Sequence, residues 1–119
     1  MGFREHLQDV CVGVDGALAC SLMGVDGIEV DTHQAADAGV DVKTLLVECS
    51  GLLRSARDAA GACDAGGLAE IAVHTDKVLT VARLVSPEYF MAVALRPEGN
   101  LGKARYLLRI TAPKVRSEL

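Results

Sequence analysis

The run "YFMAVALR" carries apolar side chains at consecutive positions, so the strand it forms is buried on both faces. A sheet holding such a strand needs a helical layer on each side, which already excludes an open or one-sided sheet. Two more strand-like runs precede it, "LAEIAVH" and "KVLTVARLV". The connections "TD" and "SPE" are too short for crossovers, so the three runs form an antiparallel meander. Upstream, "ALACSLM" and "IEVDTH" flank "GVDG", whose Asp26-Gly27 pair is a hairpin signal. The first of these is apolar on both faces and belongs inside the sheet. The second alternates Ile28, Val30 and Thr32 with Glu29, Asp31 and His33, so one face meets water.

Three segments supply the covering helices. Phe3, Leu7, Val10, Cys11 and Val14 recur at helical spacing, ending near Gly13 or Gly16. Asp41 is a fitting N-cap for a long helix whose inward stripe is Val42, Leu45, Leu46, Cys49, Leu52, Leu53, Ala56, Ala60 and Cys63, up to the break at "DAGG". Asn100 caps the last helix, with Leu101, Ala104, Leu108, Thr111 and Val115 inward, and Pro113 is expected to kink or end it. The order α-β-β-α-β-β-β-α gives a three-layer α/β/α sandwich around a five-stranded, mostly antiparallel sheet. At 119 residues, half of them apolar, the chain reads as one domain spanning 1–119.

Composition narrows the function. A net charge of −4 argues against a large nucleic-acid face, and no apolar run is long enough to cross a membrane. Cys11, Cys20, Cys49 and Cys63 form no CxxC pair and sit within apolar segments, as buried free thiols of a cytosolic protein do.

Four constellations invite a chemical reading. "PEGNLGKARYLLRI" follows a strand and opens a helix, like a phosphate loop. Counting back from Gly102-Lys103, however, the first glycine position is Pro97 and the magnesium-holding hydroxyl position is Ala104. Gly99 and Gly102 are left as turn formers, with Gly102 expected at a close helix–sheet contact. Glu29, Asp31 and His33 share a strand face, but the outer two lie roughly 13 Å apart, too far for one ion. His74, Asp76 and Ser86 lack the setting that presents a nucleophile. Arg54, Arg57, Arg105 and Arg109 suit carboxylates or phosphates yet also suit solvated helix faces. His6 has no evident partner. No catalytic, metal or cofactor site emerges.

The hairpin "ALACSLMGVDGIEVD", the stretch "LAEIAVHTDKVLTVARLVSPEYFMAVALRPEGNLGKARYLLR" and above all Asn100-Leu101-Gly102-Lys103-Ala104-Arg105 resemble the roadblock/dynein-light-chain domain family, in particular its bacterial MglB-like branch. The resemblance spans nearly the whole chain. It implies a fold close to profilins and longins, and a homodimer or paralogue heterodimer with third strands paired edge to edge and long helices adjoining. Val47, Gly51, Ser55, Leu68, Glu70, Ala72 and His74 would lie at that interface. It further implies a cytoplasmic regulator that binds a small Ras-like GTPase, in a branch whose members accelerate hydrolysis without an arginine finger; whether this chain does so is left open, and no cofactor or membrane insertion is expected. Lys43, Glu48, Arg54, Arg57 and Asp58 on the long helix are the expected GTPase contacts. The alternative is a non-catalytic dimerisation or scaffold module of a larger assembly.

Overall fold

A computed structural model describes residues 2–37 and 39–119. The elements are α1 (Phe3–Gly13), β1 (Ala17–Gly24), β2 (Glu29–Gln34), α2 (Val42–Ala62), β3 (Glu70–His74), β4 (Leu79–Leu84), β5 (Tyr89–Leu95) and α3 (Leu101–Arg116). The expected order is present, and the sheet runs β2-β1-β5-β4-β3. All four pairings are antiparallel, so the sheet is antiparallel throughout.

Strand β5 sets the layering by alternation. Met91, Val93 and Leu95 enter the core under α1 and α3, whereas Phe90, Ala92 and Ala94 enter the core under α2. Ala19, Ala82, Ala92 and Ala94 keep the sheet surface low on the α2 side, leaving room for Leu46 and Leu53. Burying each of those leucines contributes roughly 1.5–3 kcal/mol.

The expected caps form. Asp41 accepts from the Thr44 backbone and hydroxyl, at 3.1 and 2.7 Å. These bonds hold its carboxyl below the usual range. Asn100 accepts from the Lys103 amide at 3.0 Å. Pro113, by contrast, neither ends α3 nor precludes its last turn. It lies three residues before the helix stops, and its carbonyl accepts the Ser117 amide.

The glycines of the supposed phosphate loop have a structural task, but the assignment shifts. A Cβ on Gly99 would sit 2.9 Å from the carbonyl oxygens of Arg96 and Asp15. A Cβ on Gly16, at φ +85°, would likewise sit 2.8 Å from the Gly99 Cα, so these two glycines let the backbone after α1 cross the end of β5. Gly102 has no such neighbour, and the close approach expected there belongs to Gly99.

The β1–β2 hairpin carries a register shift between Leu22 and Met23. That bulge separates the three residues expected on one face. Asp31 pairs with Leu22 and meets Arg4 of α1, whereas Glu29 pairs with Met23 and accepts from Thr32 on the α2 side.

Candidate functional site

Helix α2 spans 21 residues, yet its fully buried residues all lie between Val42 and Leu53. From Arg54 to Ala62 none is fully buried, and Ala56 and Ala60 are only half-covered. Leu52, expected inward, is 45% exposed, and Val47 is 39% exposed. The helical period explains Leu52: the burial arc is set by Leu46, Cys49, Ser50 and Leu53, which leaves position 52 on its outer flank. Cys63, at the C-cap, is exposed rather than buried, because α2 has left the sheet by then. The other three thiols are buried as expected. Burial pushes Cys11 and Cys49 up to about 11, and lifts Cys20 well above 9.0 with help from neighbouring Cys11.

The outer face of α2 is a shallow depression of about 540 Å³, lined by Glu48, Gly51, Leu52, Arg54, Ser55 and Asp58. Three of the five expected docking residues therefore converge there. Lys43 stands apart, beside Glu29, Thr44 and Val47. Arg57 lines a separate cleft with Leu68, Leu84, Pro87 and Arg116. Both arginines also brace turns of their own chain: Arg54 Nη1 donates to the Val25 carbonyl, and Arg57 Nη1 to that of Pro87 at 2.8 Å. Gly27 at φ +90° makes the first turn possible, and a Cβ there would lie 3.3 Å from the Ser50 hydroxyl.

Strand β3 is an edge, with β4 on one side only. Ala72 and His74 are exposed, and Leu68 packs partly against the α2 core. Glu70 behaves differently. Its carboxylate is 14% exposed and receives Arg105 Nε at 2.7 Å and Arg83 Nη1 at 3.6 Å. It is thus drawn under α3, away from the strand's free side. Sequence spacing gave no hint of this triad, because its members come from β3, β4 and α3.

His74 ends β3 and Asp76 follows it in the β3–β4 turn, whereas Ser86 lies on the separate β4–β5 turn. Among the described residues no group of three or more His, Cys, Asp or Glu converges as a metal ligand set. Among the described residues no helix is long and apolar enough to cross a membrane. His6, expected without a partner, is 7% exposed and bonded to Glu118 at 2.7 Å. Burial pushes the Glu118 carboxyl up, and the His6 contact helps hold it below the usual range despite that.

Comparisons with known proteins agree with this architecture. The chain is 53% identical to MglC from Myxococcus xanthus over the full length of both, with a TM-score of 0.73. A roadblock/LC7 domain from Streptomyces avermitilis is 18% identical over 96% of this chain and 94% of its own, with a TM-score of 0.83. The gliding protein MglB from Thermus thermophilus is 14% identical over 98% and 89%, also at 0.83. No protein-family profile matches the chain, and no curated protein is significantly similar to it.

Proposed function

Since the chain belongs to the roadblock/LC7 family, we propose that it is a homodimeric regulator of a small Ras-like GTPase, with no active site of its own. The proposal takes residues 1–119 as one roadblock-type domain, acting in the cytoplasm. The observation that carries it is the unfinished side of the molecule. The second half of α2 lacks fully buried residues and β3 has no outer neighbour, so a small-residue helix face and a free strand edge are both left for partners.

In this reading β3 pairs with β3 of a second copy, with Leu68, Ala72, His74 and, through its backbone, Glu70 along the seam. Val47, Gly51 and Ser55 admit the neighbouring α2. The paired helices then form a platform on which Lys43, Glu48, Arg54, Arg57 and Asp58 position the GTPase. The nucleotide and its chemistry reside on that partner, and the platform acts by orienting it. Capture of a GTP-loaded rather than GDP-loaded Ras-like partner by the immobilised chain is the expected result. Equal capture of both forms, or none, contradicts it. The combined R54A and R57A variant should lower GTPase affinity at least about tenfold, as loss of charged anchors does; unchanged affinity removes these residues from the surface.

A second reading, a scaffold module indifferent to nucleotide, is favoured by one observation. Arg54 and Arg57 already serve the chain's own turns, which leaves fewer free cations for an acidic switch region. Nucleotide-independent capture is the outcome that selects it.

A further inference from the structure

Helix α3 contains Lys103, Arg105, Arg109, Lys114 and Arg116 and no acidic residue. The chain totals −4, so with this helix contributing +5 the remainder carries −9. Charge is therefore uneven, with five of the twelve Lys and Arg on one element that carries no acidic residue. Arg105, Arg109 and Arg116 recur four and seven residues apart, which stacks them along one flank of the helix. Where Arg83 of β4 comes alongside, Glu70, Arg83, Gly102, Arg105, Tyr106 and Arg109 line a cleft of about 280 Å³.

One carboxylate faces three guanidinium groups there. Glu70 takes Arg105 through Nε, and among the described residues the Nη groups of Arg105 make no hydrogen bond. The two Nη groups are an edge suited to a further carboxylate. Arg109 has no carboxylate partner among the described residues; its guanidinium lies over the Tyr106 ring, 5.6 Å from the centroid. Stacking of this kind holds the cation in place without neutralising it.

We propose that this cleft docks an acidic segment of a partner protein, with Arg105 and Arg109 receiving its carboxylates beside Tyr106. A protein segment fits better than an anionic membrane surface. The site is concave, and the helix exposes only Tyr106 and Ile110, at 47% and 38%, as large apolar groups for insertion. The −9 on the rest of the chain would also oppose a negatively charged bilayer. The cleft lies on the α1/α3 side of the sheet, so the proposal stands independently of the GTPase reading on α2.

Fluorescence anisotropy of fluorescein-labelled octaglutamate with the full chain tests it. Saturable binding that weakens with added salt is expected. The combined R105E and R109E variant should lose at least about tenfold in affinity, and K77E, on the β3–β4 turn, should stay within about twofold of the parent. Thermal melts check that each variant folds. R109Q alone, which breaks no ion pair, should still cost about threefold if the double variant does not fold. The proposal fails if the parent chain does not bind octaglutamate, or if the folded arginine variants bind as the parent does. It also fails if phosphatidylserine vesicles sediment the chain and octaglutamate does not compete.

Discussion

The two edges of the sheet are built differently. Edge β2 is bulged between Leu22 and Met23, carries Glu29 and Asp31, and ties Asp31 to Arg4 of α1. These are the devices that keep an edge from recruiting another strand. Edge β3 is five residues long, and its charged residue is turned beneath α3 by Arg83 and Arg105. Ala72 is exposed near the middle of the strand with no charge on it. The difference supports the proposal that β3 is the edge open for pairing, with the incompletely buried half of α2 as part of the same surface.

The largest expected effect comes from giving β3 the protection β2 already has. In an antiparallel pair of identical strands, a carboxylate introduced by Ala72→Glu would face its counterpart near the two-fold axis. Such like charges repel. Sedimentation velocity should show the dimer dissociation constant rising at least about 100-fold, or ~2.7 kcal/mol. V30E on β2 should leave the sedimentation coefficient unchanged. If the two variants behave alike, the contrast between the edges is void.

Glu70 sharpens the contrast at intermediate size. Glu70→Ala strips two arginines of a largely buried partner and should lower stability by about 1–3 kcal/mol in denaturant titrations. Arg4→Ala, which breaks the exposed pair on β2, should cost about 0.5 kcal/mol or less. A larger loss at Arg4 than at Glu70 would reverse the proposed roles: anchoring at β3, blunting at β2.

Thiols separate the finished interior from the open end of α2. Cys63 should react promptly with a thiol reagent in the native state, whereas Cys11, Cys20 and Cys49 should react only on unfolding. The buried thiols also set a pH dependence. Folded Cys11 and Cys49 titrate near 11 and unfolded thiols near 9.0, so the unfolded state gives up protons first. Stability should be unaffected by these groups below pH 9 and should fall as pH rises from 9 towards 11. A midpoint of denaturation that holds steady over that range would contradict the burial of both thiols.

Local pattern carried most of the architecture. The two-sided apolarity of "YFMAVALR", the Asp-Gly hairpin and the Asp41 and Asn100 caps are each decided within a few residues, and all appear in the fold. The expectations that failed depended on distant chain. Whether Cys63 is covered depends on where α2 leaves the sheet. Which glycine permits close approach depends on two loops separated by most of the sequence meeting at Gly16 and Gly99. His6 finds Glu118 across 112 positions, and Glu70 gathers arginines from two other elements. The bulge that sends Glu29 and Asp31 to opposite faces leaves no mark in the alternation of "IEVDTH". The candidate site was accordingly legible as residues of α2 and β3, and only the fold sorts them into a depression, a cleft and an anchored carboxylate.

Hydrogen exchange of the backbone amides, measured at a concentration favouring monomer and at one favouring dimer, tests the central claim most directly. Protection of residues 70–74 of β3 should rise with concentration, while residues 29–34 of β2 should exchange at the same rate in both samples. Concentration-dependent protection at β2, or none at β3, would contradict the account.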